Sequence, residues 1–465
     1  KKEDDDDDLS PRKDRESKRA TAAAPVAATN YSQRLEAWFY FSVVWSIGAA
    51  TDTDGRNKFS VFLRNLINGR LTAEELHSLN VPAPTSPVAP TAAFPESDIK
   101  EKPYSVYDFV WDKSKGKWEQ WMNTIPLYQP PDKAEFHNII VPTIATVRIG
   151  HLLELLVTHQ QHVLLTGLTG TGKSVTVSKK LLVDMARSKY VPLMLSFSAR
   201  TTANQTQDII DSAMHQRRAA VVGQAAVIGP PQGKVCVIFV DDLNMPAREQ
   251  YGAQPPIELL RQWMDYGGWY NRKTNTFTQV ADVQFMAAMG PPGGGRSVVT
   301  DRYLRHYSNI CVNPYDDDSL RRIFGTIVTW WLKDNPGKLR PLQKALVEST
   351  IDCYNTVSQR MRPTPSKSHY VYNLRDVSKV FQGVCSVKPE ELKAGSDLIR
   401  LWMHECTRVF ADRLIDDADL AWFDKYIHEV AATHYNVHSM EELYDAKEPR
   451  RLLFCDFANP RSALK

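Results

Sequence analysis

Cysteine is scarce and scattered. The 465 residues hold six, at positions 236, 311, 353, 385, 406 and 455, with no C-x-x-C pair and no histidine-rich neighbourhood. Such spacing argues against a zinc site and against a disulfide framework, and points to reduced thiols in a cytosolic compartment. An excess of charge of one sign is missing too. Against 57 Lys and Arg stand 54 Asp and Glu, a net charge of +3, so no strong field directs the chain to nucleic acid or to an acidic membrane surface. The longest apolar run, Ala37 to Ala50, is too short and too interrupted to span a bilayer. No secretory signal opens the chain. It begins Lys1-Lys2-Glu3 with no initiating Met and is expected to be a segment of a longer polypeptide. What remains is ordinary globular composition, 43% hydrophobic and 24% charged, at a length that suggests about three domains.

One stretch stands out against this background. Gly167-Leu168-Thr169-Gly170-Thr171-Gly172-Lys173-Ser174 follows the apolar run His162 to Thr166, which reads as a buried strand. It precedes Val175 to Leu182, whose apolar spacing is helical. Strand, glycine-rich loop and helix in that order are what a phosphate-binding P-loop requires. Its glycines, Gly167, Gly170 and Gly172 with Thr171 between, let backbone N–H groups curl round a β-phosphate at the positive end of the new helix. Lys173 is expected to reach the β- and γ-phosphates and Ser174 to hold Mg²⁺. ATP or ADP with Mg²⁺ is the implied ligand.

A second motif lies downstream. Lys234 to Val240 reads as a buried parallel strand and ends in Asp241-Asp242. Carboxylates at the C-terminal end of such a strand are where Mg²⁺ and attacking water sit in P-loop enzymes. Asp241 is the candidate metal holder, largely through water, and Asp242 the candidate for polarising the lytic water. Helix capping by either Asp is the plainer alternative. Upstream, Ile140 and Val141 are placed to sandwich a purine, although packing of the hairpin against the helix would demand the same residue types.

The remaining organisation is read from composition and periodicity. Residues 1–30, an acidic run followed by basic and Ala/Thr/Pro-rich sequence, carry little to bury and are expected to be a disordered linker. Two apolar helices follow Tyr31, with no strands of their own to pack on. After a Pro-rich linker at 82–96, Tyr104 to Trp121 reads as a β-hairpin. Strands at 191–197, 234–240, 283–289 and 307–312 alternate with helices, one of them Pro255 to Tyr266, and a hairpin-like stretch runs from Gly268 to Val283. From Asp316 no strands are expected, only amphipathic helices at roughly 317–334, 339–360, 372–384, 389–414 and 417–435. The fold class is therefore α/β: a three-layer parallel P-loop sheet with a C-terminal α-helical lid, preceded by helices and a β-hairpin.

This layout resembles an AAA+ module. Longer stretches resemble dynein heavy chain: Asp241-Asp242-Leu243-Asn244-Met245-Pro246, Gly252 to Gln262, Met289-Gly-Pro-Pro-Gly-Gly-Gly-Arg296, Tyr372 to Gly383, and Leu401-Trp-Met-His404-Glu405. The set is most similar to the third AAA+ module of axonemal dyneins, inner-arm chains in particular, and covers about residues 100 to 440. The resemblance implies a division into 31–121 (lid of the preceding module, linker and hairpin), 122–314 (large nucleotide-binding subdomain), 315–436 (small helical lid) and 437–465 (connection to the next module). It implies that Arg305 is an arginine finger for the preceding module's site, and that Arg375 is the lid arginine touching this module's own nucleotide. Implied partners are the other AAA+ modules of the same heavy chain and, indirectly, dynein intermediate and light chains and microtubules, with no nucleic acid and no membrane; the implied location is the axoneme of a cilium or flagellum.

Two departures from active AAA+ ATPases lower the expectation of fast hydrolysis. Asp242 replaces the usual Glu and is one methylene shorter; misplacing a water-positioning group by roughly an ångström costs about a hundredfold. Gly290 falls where a polar sensor side chain is usual. The expected function is a regulatory nucleotide-binding module with slow or no hydrolysis. The alternatives are a purely structural, nucleotide-stapled ring segment or a stand-alone remodelling ATPase.

Overall fold

The computed structural model describes residues 31–79, 90–96, 104–219, 221, 224–333, 337, 339–437, 443 and 454. The expected linker at 1–30 and nearly all of the connection at 437–465 lie outside the described residues. The leading helices are α1 (Tyr31–Ser46), α2 (Thr53–Ile67) and the short α3 (Ala73–Ser78). Asp52 starts α2 by accepting a hydrogen bond from the Gly55 N–H at 2.8 Å, which satisfies one of the donors a helix N-terminus leaves open. Strands β1 (Phe109–Asp112) and β2 (Lys117–Gln120) pair antiparallel round a turn in which Gly116 has φ 62°. The hairpin is shorter than the sequence suggests. Single helical turns at Val106–Asp108 and Trp121–Thr124 occupy its expected ends. The leading helices are also not without strands: Ala37, Val44 and Leu63 share one core with Phe109, Trp111 and Trp118.

The central sheet contains β3 (Val163–Thr166), β4 (Tyr190–Ser196), β7 (Val235–Asp241), β10 (Val283–Met289) and β11 (Ser308–Cys311) in the order β11-β3-β10-β7-β4, every pair parallel. Alternation along β7 explains why helices cover both faces. Cys236, Ile238 and Val240 pack with α6 (Ala203–Ser212), α7 (Pro255–Tyr266) and α8 (Asp301–Leu304). Val237 and Phe239 point the other way, toward α4 (Ile144–Thr158) and α5 (Lys173–Lys179). A strand buried on both faces has no polar side to show, which is why its sequence is continuously apolar. Helix α4 starts seven residues before the expected His151, because Thr143 and Thr146 cap it reciprocally.

A second sheet was not anticipated. It joins β5 (His215–Arg218), β6 (Ala226–Gly229), β8 (Gly268–Tyr270) and β9 (Phe277–Val280) in the order β5-β6-β9-β8. The β8–β9 hairpin is visible in the sequence; β5, reading His-Gln-Arg-Arg, has no apolar alternation, and β6 joins β9 across some fifty residues of chain. After Cys311 no strand occurs among the described residues. The lid consists of α9 (Asp317–Trp331), α10 (Gln343–Arg360), α11 (Leu374–Ser386), α12 (Gly395–Cys406) and α13 (Asp417–Tyr435). Its core includes Phe324 stacked on Phe381 at 4.3 Å, and it takes in Ile139 and Val141 from the strap before α4.

The leading helices are tied to the sheet by a buried charge. Arg56 of α2 donates to the Cys311 carbonyl at 2.6 Å and lies over the rings of Trp45 and Tyr107 at 5.7 and 5.0 Å. Arg148 of α4 lies over the same Trp45 at 6.0 Å; burial, with Arg56 adding to it, pushes its guanidinium down to about 10. Arg148 therefore remains charged at neutral pH. Among the described residues no helix is long and apolar enough to cross a membrane.

His162, at the entry to β3, accepts a hydrogen bond at Nδ1 from the Phe285 N–H at 3.1 Å, and burial takes it from 6.5 down to about 4. The folded chain therefore binds fewer protons here than the unfolded chain between those values, so this contribution falls as pH drops from about 6.5 to about 4. His162→Gln, which keeps an acceptor and removes the titration, is expected to recover roughly 2 kcal/mol of stability at pH 4.5 relative to its effect at pH 7.5. Urea denaturation at the two pH values measures it; an equal effect at both would remove His162 from the acid response.

Candidate nucleotide-binding site

Strand register brings the singled-out residues to one edge. Thr166 pairs with both Met289 and Cys311, while Ser196 pairs with Asp241. The loops that leave β3, β7 and β10 therefore emerge level with one another at the C-terminal edge of the sheet, where ligands of open α/β folds bind. The loop after β3 carries Gly167 to Gly172, β7 ends in Asp241-Asp242, and β10 is followed by Gly290.

A cavity of about 430 Å³ opens between this edge and the lid. Gly170, Thr171, Gly172, Lys173, Ser174, Asp241, Asp242, Gly290, Arg296 and Arg375 are among the residues that line it. Phe136, Ile139, Ile140, Val141, Ile323 and Ile327 contribute apolar lining. Of the residues expected to bind nucleotide or metal, all but Gly167 line this one space. Gly167 lies behind it: a Cβ there would run into the Val312 carbonyl of the neighbouring strand end. Ile140 and Val141 face the cavity, but Val141 is also buried in the lid core. Both readings of this pair, apolar wall and packing strap, are thus compatible with where it sits.

The loop's backbone shape depends on glycine. Gly170 and Gly172 have φ of 84° and 78°. A Cβ on Gly170 would come within 2.9 Å of Asn373, and one on Gly172 within 2.5 Å of the Tyr315 hydroxyl. Asn373 caps α11, and Tyr315 lies just before the lid, so the lid touches the loop where the loop has no side chains. Arg375 stands in the first turn of α11. That turn is held by Asp376, whose carboxylate accepts from the Asn373 N–H at 3.0 Å and from Arg413 at 2.7 Å.

The electrostatics are mixed. Lys173 Nζ donates to the carbonyls of Gly167 and Leu168 at 2.9 and 2.7 Å. Burial holds its ammonium below the ordinary lysine range; Asp241 and Asp242 oppose that shift, while Arg296 and Arg375 reinforce it. Asp241 accepts a hydrogen bond from the Asp242 N–H at 3.0 Å. Asp242 itself has φ 51°, a left-handed conformation, and lies 3.5 Å from Arg296. These features fit a nucleotide: one cavity lined by cations, loop backbone and hydrocarbon side chains together. They fit Mg²⁺ only together with phosphate. Among the described residues no group of three or more His, Cys, Asp or Glu could cage a metal, whereas Ser174 and Asp241 can supply the few protein contacts that a largely water- and phosphate-held Mg²⁺ takes.

Arg305 lies elsewhere. At the end of α8, largely exposed, it donates to Asp265 of α7 at 3.0 Å and touches the His306 ring, which is itself 3.1 Å from Asp265. Burial alone would raise the Asp265 carboxyl, but Arg305, His306 and Arg261 together bring it below its ordinary value. Arg305 does not line the cavity. Sequence reading did not single out Arg296, Phe136, Ile323, Ile327, Tyr315 or Asn373. Only Arg296 had a signal, the loop of glycines that returns it to the edge of the sheet.

Two outcomes are expected. Gly170→Ala should push Asn373 away and loosen the start of α11, speeding amide exchange at Leu374–Asp376 at least tenfold by mass spectrometry; unchanged exchange would contradict the contact. Asp242→Glu should lower the melting temperature by a few degrees, since a longer, unbranched acid tolerates left-handed backbone less well than Asp and that conformation costs roughly 1 kcal/mol. A raised melting temperature would refute this.

Comparison with known proteins agrees with this architecture. Residues 128–315 match the sequence model of the P-loop containing dynein motor region, 346–443 that of an AAA+ lid domain, and 12–123 that of a dynein heavy chain AAA lid domain. Dynein axonemal heavy chain 1 of Homo sapiens is 42% identical over 93% of this chain and 10% of its own length. Dynein axonemal heavy chain 12 of Rattus norvegicus is 39% identical over 91% of this chain and 14% of its own. Dynein axonemal heavy chain 3 of Homo sapiens is 40% identical over 93% and 10%. The chain thus spans about a tenth of the length of these relatives. With dynein models matching the leading helices and the P-loop sheet, and an AAA+ lid model matching the helices behind them, the chain belongs to the dynein heavy chain family.

Proposed function

We propose that this chain is a regulatory nucleotide-binding AAA+ module of an axonemal dynein heavy chain, the third in its ring, preceded by the lid of the second. The divisions 31–121, 122–314, 315–436 and 437–465 follow from that assignment. The observation that carries it is the cavity between the P-loop edge and the lid, lined by the loop's Lys173 and Ser174, by Asp241 and Asp242, by Arg375 of the lid and by apolar residues. Here Gly167 to Gly172, Lys173 and Ser174 would hold the phosphates of ATP or ADP, Ser174 and Asp241 would hold Mg²⁺, and Ile140 with Val141 would cover the base. The ligand supplies a phosphoanhydride bond and a metal charge. Arg375, on a helix whose cap touches Gly170, links the lid's position to what the cavity contains. For ATP and ADP to shift that position they must bind its alternative arrangements with different affinity. Arg305, oriented by Asp265 and His306, would serve the preceding module's site as an arginine finger.

Slow turnover is part of the reading. Asp242 is short, its left-handed backbone leaves little freedom to extend, and Arg296 pairs with its carboxylate. A carboxylate paired with a guanidinium is less free to turn toward an attacking water. These same observations favour a second reading, in which the nucleotide is held without turnover and staples sheet to lid. In the whole protein the module would act within a ring of AAA+ modules of an axonemal microtubule motor, with intermediate and light chains and the microtubule reached indirectly.

Single-turnover phosphate release, measured on a complete heavy chain with its principal ATPase site inactivated, separates the readings. A slow release that disappears on Lys173→Ala is expected for the regulatory module. Nucleotide retained by the parent chain with no release favours the staple, and loss of neither binding nor release in Lys173→Ala would sink both.

A further inference from the structure

Gly290 ends β10 without a side chain to offer the cavity, yet the space beside it is filled. A Cβ built on Gly290 would meet Arg296 Nε at 3.0 Å and Cδ at 3.1 Å. Arg296 returns to its own strand end through the glycine loop, where the Gly293 N–H donates to the Arg296 carbonyl and the Arg296 N–H to the Gly293 carbonyl, at 3.0 and 3.1 Å. The loop is pinned at both ends by one buried residue. Asn244 Nδ2 donates to the Gly290 carbonyl at 2.8 Å, and the Ser297 N–H donates to the Asn244 carbonyl at 3.0 Å. Asn244 is 1% exposed and follows Asp242 by two residues. The acidic turn and the arginine loop are therefore built as one piece.

The guanidinium so placed is underused. Its one ion pair is the loose 3.5 Å contact to Asp242, and its Nε is buried with no hydrogen-bond partner among the described residues. Leaving a buried charged donor unmade is costly, and the wall that Arg296 helps to form belongs to the cavity shared with Lys173 and Ser174. Arginine is also the side chain best matched to phosphate oxygens, through parallel N–H donors.

We infer that Arg296 is the γ-phosphate sensor of this site, its guanidinium dividing itself between the Asp242 carboxylate and the terminal phosphate of ATP. The inference rests on the nucleotide-site reading and deepens it. ADP lacks the terminal group, so Arg296 stays with Asp242; ATP competes for the guanidinium and frees the carboxylate. Arg296 lies six positions after Gly290, so the sensing side chain comes from the loop that follows the strand rather than from the strand end. The contact discriminates between nucleotides, and it makes the ion pairing of the Asp242 carboxylate depend on which of them is present.

The test is binding rather than turnover. Affinities of the full 465-residue chain for ADP and for the slowly hydrolysed ATPγS, both with Mg²⁺, are measured by competition against a fluorescent ADP analogue. Arg296→Ala is expected to weaken ATPγS about 10–100-fold while changing ADP less than about threefold, the range of one charge-assisted hydrogen-bonded contact. Arg296→Lys, which retains charge but not the fork, falls between, and serves alone if the alanine variant does not fold. Asp242→Asn should tighten ATPγS a few-fold, and this gain should vanish in the double variant. Equal weakening of both nucleotides, or no change in either, overturns the role of Arg296 while leaving the site assignment standing. Failure of the parent chain to bind either nucleotide overturns the site assignment, and the role of Arg296 with it.

Discussion

Everything at this site is constrained by the absence of side chains on the P-loop. Gly167 is backed by the carbonyl of the neighbouring strand end, Gly170 by the cap of α11 and Gly172 by the Tyr315 hydroxyl. Sheet, lid and the segment joining them all approach the loop as closely as backbone permits. A methyl group at any of the three points would displace a different part of the fold. The loop is thus the place where the packing of the lid and the shape of a phosphate cradle become the same requirement.

Around that point the charges are arranged in opposition rather than in one sign. Lys173, Arg296 and Arg375 line one cavity together with Asp241 and Asp242, and Lys173 is engaged by backbone carbonyls. Such an arrangement limits the cost of gathering like charges. It also means that a polyanion would have to redistribute existing pairs rather than simply fill a positive hole.

Much of this was legible in the residues. The P-loop, the acid-ended strand and the helical lid announce themselves through glycine spacing, a continuous apolar run and amphipathic periodicity, and these give the parallel sheet and nearly every lid helix. Less visible was anything set by non-local pairing. The strand β5 is polar throughout and gains its place only through β6 and β9. Ile323 and Ile327 fall in α9, where the sequence shows only amphipathic periodicity, yet they line the cavity because the lid folds back over the loop. Asp242 read as a shortened glutamate. Its left-handed backbone, which sequence cannot display, makes the shorter acid a suitable choice for the turn rather than a defect in it. Gly290 read as a missing group, because a substitute six residues away can be found only once the loop between them is folded.

The buried arginine at the front of the molecule has a mechanical meaning. Arg56 binds the last carbonyl of β11, one residue before the Val312 carbonyl that backs Gly167. A desolvated guanidinium seated between two aromatic rings is a poor place for a hinge, since sliding it would expose its unpaired donors before new partners were found. The leading helices and the P-loop edge therefore form a single lever. The compliant boundary of this segment lies on the opposite side of the loop, where the lid rests on glycine.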